Sequence, residues 1–235
     1  MSFLTAEWRK LIMVNYTIDP KVLAPYVPQG TILDSFEGKC YVSLIGFMFV
    51  NTKLLGIKVP FHVNFEEVNL RFYVKRLEDG KEKRGVVFIK EIVPKAAITF
   101  VANTFYKEKY ETLKMKHEWQ KVQDDLAIAY QWKKNGIWNH IKVIAENQQI
   151  AMEQHSEVEF IAEHYWGFSK NSETKTTMYE VQHPKWNYYP VKESTINVDF
   201  NATYGNNFAF LNKQKPTSVF LLEGSEISVE NKTII

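Results

Sequence analysis

The segment FHVNFEEVNLRFYVKR, residues 61–76, predicts a β-strand because apolar and polar residues alternate along it. One face of this strand carries the apolar side chains of Val68, Leu70, Phe72 and Val74. The opposite face carries Glu67, Asn69 and Arg71. A half-buried strand turns its apolar face to the core. The charged row therefore lies either in solvent or along the wall of a pocket, and the alternation alone allows both.

Strand patterns dominate the rest of the chain. KCYVSLIGFMFVNTK is apolar on both faces and predicts a central strand, and LEDGKEK turns the chain into a further strand, RGVVFIKEIV. Asn135-Gly136 separates two alternating runs, which predicts a β-hairpin with a tight turn. YWGFSK, TTMYEVQH and SVFLLEGSEISV predict later strands.

Helices are predicted to be few and short. Pro20 suits the start of one helix, and Pro94 suits the start of a second in PKAAITFVANTFY. Ser156 with Glu159 forms a capping-box pattern that opens a third. We therefore predict a single α+β domain over residues 1–235, mainly antiparallel, in which a curled sheet or closed β-barrel carries a few short helices.

Composition narrows the classes of partner. Lys and Arg number 29 against 27 Asp and Glu, and this balance argues against nucleic acid or an anionic membrane as the main partner. The single cysteine, Cys40, cannot form an internal disulfide, and the apolar run LIMV near the N-terminus is too short for a signal peptide. No run is long enough to span a membrane. We therefore expect a soluble cytoplasmic protein.

Cofactor and metal motifs are missing from the sequence. It contains no P-loop, no G-x-G-x-x-G, no G-x-S-x-G and no H-E-x-x-H. We therefore predict no cofactor and no metal site. A curled sheet that is apolar on both faces in places needs an interior, and such interiors often hold a small ligand, so we expect a small molecule as the partner.

Several segments resemble the YqjF-like proteins, a bacterial family. They are EWRKLIMVNYTIDPKVLAPYVPQGTILDSFEGKCYVSLIGFMF, FEEVNLRFYVK with RGVVFIKEI, EHYWGF and YEVQHPKW, in the family's order and over nearly the whole chain. The family is similar to the acetoacetate decarboxylase superfamily, whose members share an antiparallel β-barrel or cone with an internal cavity. The resemblance thus implies that the Glu67, Asn69 and Arg71 row faces a cavity. Superfamily relatives assemble into oligomers, so a homo-oligomer is allowed.

The resemblance also nominates a reactive amine. VPKAA matches the superfamily's Pro-Lys-Lys element and places Lys95 where an amine would condense with a keto acid. Lys95 is expected in the first turn of a helix, whose dipole favours the uncharged amine by only about 0.3–1 kcal/mol. The second lysine of the element is Ala96 here, so the neighbouring cation is absent. An ordinary solvated lysine is the alternative.

The remaining candidates are polar or aromatic residues. Glu67 resembles the superfamily's cavity glutamate and could orient a substrate or move a proton, while Arg71 could grip a carboxylate and Asn69 lies between them. His183 and Trp186, in YEVQHPKW, resemble a family signature and are candidate ligand contacts. Three hypotheses remain open: a barrel that binds an organic acid, a Schiff-base lysine enzyme, or a structural or partner-binding protein.

Overall fold

The computed structural model describes residues 2–235, and most of them lie in β-strands. In chain order the strands are β1 (Leu4–Ile18), β2 (Ile32–Leu33), β3 (Cys40–Leu54), β4 (Phe65–Glu78), β5 (Lys81–Val93), β6 (Tyr110–Thr112), β7 (Lys114–Val122), β8 (Asp125–Lys134), β9 (Ile137–Glu146), β10 (Ile150–Ala151), β11 (Trp166–Ser172), β12 (Lys175–Gln182), β13 (Asn187–Tyr189), β14 (Val191–Asn197), β15 (Ser218–Val229) and β16 (Thr233–Ile234). The helices are α1 (Pro20–Leu23), α2 (Ala96–Val101), α3 (Glu157–Ala162) and α4 (Phe200–Tyr204). A π-helical turn, Ala102–Tyr106, follows α2.

Seven of these strands form a ring in the order β1-β3-β4-β5-β11-β12-β15. All neighbours pair antiparallel except β5 and β11, which pair parallel. The ring closes because β15 pairs with β1 along its length and with β12 at Val181 and Gln182. The predicted mainly antiparallel, curled sheet with few short helices is thus confirmed.

A second sheet, β14-β9-β8-β7, packs against the outside of the ring. Its buried residues Tyr130, Trp132 and Ile141 share one core cluster with Leu44 and Leu70 of the ring. At Gly46 a Cβ atom would lie 2.8 Å from Ile141 Cδ1. A glycine at this point therefore lets the two sheets approach closely.

The two faces of β4 belong to two different core clusters. Val68, Leu70 and Phe72 pack in the layer between the ring and the second sheet. Tyr73, on the other face, packs inside the ring with the buried aromatic residues of β3. Because side chains alternate along a strand, Glu67, Asn69 and Arg71 share the inner face with Tyr73.

Irregularities in strand pairing bend the ring. The register between β1 and β3 shifts between Arg9 and Ile12, and Lys10 adopts a positive φ of 55° there. On β15, which pairs with the other edge of β1, Gly224 has a φ of 79°. A Cβ atom at this position would lie 2.0 Å from the Trp8 carbonyl oxygen. Such bulges increase local twist and so help an open sheet to curl.

Several local predictions are confirmed and one element begins later than expected. The turn between β8 and β9 is Asn135-Gly136, both with positive φ, and the Ser156 side chain caps α3 by accepting from the Glu159 N–H. The helix predicted to begin at Pro94 begins at Ala96. No helix within residues 2–235 has both the length and the apolar character of a membrane span.

Candidate functional site

A cavity of about 260 Å³ lies inside the ring. Its wall is mainly apolar and aromatic, with contributions from Trp8, Phe47, Phe49, Phe65, Phe88 and Trp166. Phe49 and Phe65 stack with their ring centroids 4.7 Å apart. Residues of α2 and of the loop between β3 and β4 also line the cavity. The interior could hold a small organic molecule with an apolar body.

The charged row of β4 lines this cavity, as the family resemblance implied. Glu67 and Asn69 are each 2% exposed, and Arg71 is 8% exposed. β4 holds them there because its other face packs against the second sheet. Three polar side chains on one strand thus enter an otherwise apolar interior.

Glu67 is held in place by two hydrogen bonds. Its Oε1 accepts from Asn69 Nδ2 at 2.9 Å, and its Oε2 accepts from the Tyr110 hydroxyl at 3.1 Å. Asn69 Oδ1 is buried without a partner. Two neighbouring residues therefore orient the Glu67 carboxyl, while one amide oxygen in the cavity wall stays available to another donor.

Arg71 has little compensation for its charge. Its Nη2 donates to the Ile161 carbonyl oxygen at 3.1 Å, and its guanidinium lies 5.6 Å from the centroid of the Tyr73 ring. Its Nε is buried without a hydrogen-bond partner. Among residues 2–235 no carboxylate forms an ion pair with Arg71, and no hydrogen bond joins it to Glu67.

Two further carboxyl groups line the cavity and were not predicted. Glu91, on β5, is 2% exposed and lies directly opposite Asn69 in the strand register. Glu108, in the segment before β6, is 8% exposed and accepts from the Tyr179 hydroxyl at 3.0 Å and from Ser169 Oγ. Together with Glu67 they form a group that we call the carboxyl cluster.

Burial raises the pKa of every member of the carboxyl cluster. The pKa of Glu67 rises to about 7, helped by the charge of Glu108, and the pKa of Glu108 also rises to about 7. For Glu91 burial and the charges of the other two carboxyls raise the pKa well above its usual value. The cluster therefore retains protons near neutral pH, because its carboxylates lack full compensation.

His164 contributes a second kind of buried acceptor. Its Nε2 lies 3.2 Å from Asp34 Oδ2, which also accepts from Arg84 Nε at 2.7 Å. Burial would raise the pKa of Asp34, but these two hydrogen bonds lower it to about 2, while burial lowers that of His164 to about 4. The neutral ring donates from Nε2 to the carboxylate, so its partnerless Nδ1 is an acceptor.

His183 and Trp186 both line the cavity and contact each other. Their rings stack with centroids 4.0 Å apart, and Trp186 Nε1 donates to Ser225 Oγ at 2.8 Å. Burial lowers the pKa of His183 to about 4, although its Nδ1 lies 2.9 Å from the Pro184 carbonyl oxygen. His183 therefore enters the wall as a neutral aromatic ring near pH 7.

Lys95 is the one predicted site residue that does not line the cavity. It is partly buried at the N-cap of α2 and lies near Glu66, whose pKa its charge helps to lower. Glu66 pairs with His117 of the second sheet, on the outer side of β4. Among the described residues that form the cavity wall there is no lysine.

A metal site has no support among residues 2–235. Within them no group of three His, Cys, Asp or Glu side chains is arranged to hold a metal ion.

Comparison with known proteins places the chain in a family. Residues 5–226 match the DUF2071 family, described as an uncharacterized conserved protein. The uncharacterized protein YqjF of Bacillus subtilis is 29% identical over 112 residues. That match spans 47% of this chain and 45% of YqjF, so the aligned region covers less than half of either protein.

Solved structures of low sequence identity share the fold. Acetoacetate decarboxylase from Legionella pneumophila superposes with a TM-score of 0.67 at 12% identity, covering 99% of this chain and 86% of that one. An acetoacetate decarboxylase-like enzyme from Sphingomonas wittichii superposes with a TM-score of 0.67 at 9% identity, covering 100% of this chain and 94% of that one. The enduracididine biosynthesis enzyme MppR, complexed with pyruvate, superposes with a TM-score of 0.67 at 10% identity, covering 100% of this chain and 91% of that one. The chain belongs to the DUF2071 family and has the fold of the acetoacetate decarboxylase-like proteins.

Proposed function

We propose that this protein binds a compact organic acid in the cavity inside the strand ring, with the ligand carboxylate held by Arg71. The observation that carries the proposal is the state of Arg71: it is 8% exposed, it lines the cavity, and its Nε has no partner. A buried cation is costly unless it is paired. A carboxylate ligand would supply the missing charge and accept from the free Nε.

The apolar wall supports an organic body on the ligand. The aromatic rings around the cavity would remove that body from water, which contributes roughly 25 cal/mol per Å² of apolar surface. Glu67 and Asn69 would contact the polar end of the ligand beside Arg71, and His183 with Trp186 would contact its flat or apolar part. MppR, a protein of the same fold, has been solved with pyruvate, which is itself a small carboxylate.

A Schiff-base lysine enzyme is the second candidate, because of the fold that the chain shares with acetoacetate decarboxylase. Such an enzyme needs an amine inside the cavity. Lys95 lies at the N-cap of α2, outside the wall, although Ala97 and Ile98 of the same helix line the cavity. We therefore favour binding without an imine.

Calorimetric titration of matched variants tests the binding proposal. Short-chain and aryl-substituted carboxylic acids and keto acids are titrated into the wild-type protein, Arg71→Met and Arg76→Met. Arg76 lies on the same strand but bonds Glu78 and the Gly30 carbonyl, away from the cavity. Arg71→Met is expected to weaken binding on the order of 100-fold, because breaking a buried charge pair costs about 2–5 kcal/mol. Equal affinities for all three proteins would refute the role of Arg71.

Borohydride reduction separates the two candidates. The protein is incubated with the same keto acids and with simple aldehydes, reduced, and examined by intact mass and peptide mapping. Binding without an imine predicts no site-selective adduct. A stoichiometric adduct at Lys95 that is lost in Lys95→Ala would instead establish the Schiff-base enzyme.

A further inference from the structure

The cavity wall holds buried polar atoms that have no hydrogen-bond partner. Asn69 Oδ1, Glu91 Oε2 and His164 Nδ1 are buried without partners and belong to residues that line the cavity. Arg71 Nε is the unpartnered donor on the same charged row, and Trp8 Nε1 is a further one on β1. A buried polar atom without a partner costs free energy. A ligand that fits this wall must therefore donate hydrogen bonds as well as accept them.

The positions of these groups along β4 and β5 separate two poles. Glu91 faces Asn69 directly across the β4–β5 pairing, so their Cβ atoms are roughly 5 Å apart. Arg71 lies two residues further along the same face of β4, which is roughly 7 Å along the strand. The cationic pole at Arg71 and the acidic pole at Glu91 are thus separated by the length of a small molecule.

We propose that the ligand is amphoteric, with a carboxylate on Arg71 and a protonated nitrogen, such as an ammonium or guanidinium group, at the carboxyl cluster of Glu67, Glu91 and Glu108. This proposal rests on the proposed function and specifies its ligand class. The nitrogen donates to Glu91 Oε2 and Asn69 Oδ1, which belong to residues that face each other across the β4–β5 pairing. The apolar body of the ligand lies against the aromatic wall.

The balance of charges around the carboxyl cluster favours an amphoteric ligand over a simple acid. The groups facing the cluster are Arg71 on β4, Tyr110 on β6, Tyr179 on β12 and Lys109 next to Glu108. The tyrosines act as hydroxyl donors, so Arg71 and Lys109 are the cations that act on three carboxyls. A ligand that brings only a negative charge makes the cluster bind more protons, whereas a ligand that brings a cation makes it release them.

Proton exchange on binding therefore reports the ligand class. We would use matched sets of probes that share one body: 2-phenylethylamine, 3-phenylpropanoate and phenylalanine, with an equivalent unbranched alkyl set. Each is titrated at pH 7 in two buffers of different ionisation enthalpy. The amino acid is expected to bind at least about tenfold more tightly than the acid of the same body, with release of up to one proton. The acid alone is expected to take protons up.

Variants assign the effect to the cluster. Glu91→Gln is expected to remove the tenfold advantage and the proton release, while binding of the acid persists. Glu66→Gln, one residue before Glu67 but paired with His117 on the outer side of β4, is the matched control and is expected to change neither. The titration of the wild-type protein stands by itself if Glu91→Gln does not fold.

The outcomes distinguish this inference from the function on which it rests. One outcome is that acids bind through Arg71 but the amino acids bind no more tightly and release no proton. This outcome would overturn the amphoteric ligand and leave the acid-binding function. Amino acids that bind unchanged in Arg71→Met would overturn the acid-binding function. The absence of binding in every probe set would overturn both.

Discussion

Replacing Glu108 by glutamine is expected to have an effect on stability that depends strongly on pH. The new amide would keep an acceptor oxygen for the Tyr179 hydroxyl and Ser169 Oγ but would carry no ionisable group. Burial raises the pKa of Glu108 from 4.5 to about 7 in the folded protein. The native state therefore holds a proton that the unfolded chain has already lost within this interval, and stability falls as pH rises through it.

The expected magnitude follows from that shift. A change from 4.5 to about 7 corresponds to roughly 3 kcal/mol, since one unit is about 1.36 kcal/mol. The Glu108 charge also raises the pKa of Glu67 and Glu91, so its removal relieves part of their cost too. Above pH 7 Glu108→Gln is therefore expected to be more stable than wild type by about 3 kcal/mol or more. Below pH 4.5 the two should agree within about 1 kcal/mol, the net value of a neutral hydrogen bond.

Urea unfolding at a series of pH values from 4 to 9 measures this difference. Glu173→Gln, at a side chain that is 87% exposed and pairs with Lys170, makes the same chemical change on the surface and should show no such trend. A constant difference between wild type and Glu108→Gln across the series would contradict a raised pKa of Glu108, since it would mean that Glu108 ionises in the folded protein as it does in the unfolded chain.

Three further predictions concern the ring and its wall. Gly224→Ala is expected to lower the free energy of unfolding by about 2 kcal/mol or more, because its Cβ atom would overlap the Trp8 carbonyl and its φ is 79°. Urea unfolding measures this loss. The control Gly136→Ala, at a φ of 83° with no atom within 4 Å of the new Cβ, should cost less. Tyr130→Phe is expected to cost about 1–2 kcal/mol in the same assay, because its hydroxyl donates to the backbone of β1, and a loss below about 0.5 kcal/mol would contradict that contact. Nuclear magnetic resonance titration of His183 should give a pKa near 4, since burial disfavours the charged ring. The free energy of unfolding should therefore fall as pH drops from about 6.5 toward that value. A titration midpoint near 6.5 would show that the ring is solvated.

The strand pattern predicted a mainly antiparallel, curled sheet, and the family resemblance implied that the charged row of β4 faces a cavity. Alternation along β4 placed Glu67, Asn69 and Arg71 on one face, but only the packing of the second sheet against Leu70 shows that this face is the inner one. The Asn135-Gly136 hairpin could be predicted because its turn chemistry is local.

The other members of the carboxyl cluster could not be predicted for physical reasons. The register between β4 and β5 shifts next to Leu70, so the simple alternation of β5 does not show which way Glu91 points. Glu108 stands between Lys107 and Lys109 in a stretch that looks solvated, and only the long-range packing around Tyr179 buries it. A carboxyl within the run FIKEIV was the one available signal for Glu91.

A crystal structure of the protein with a bound carboxylic acid would show directly whether Arg71 holds the ligand. We expect a ligand inside the ring, with its carboxylate within hydrogen-bonding distance of Arg71 Nε and its apolar part against the aromatic wall. A ligand bound outside the ring, or inside it with its carboxylate away from Arg71, would contradict binding through Arg71.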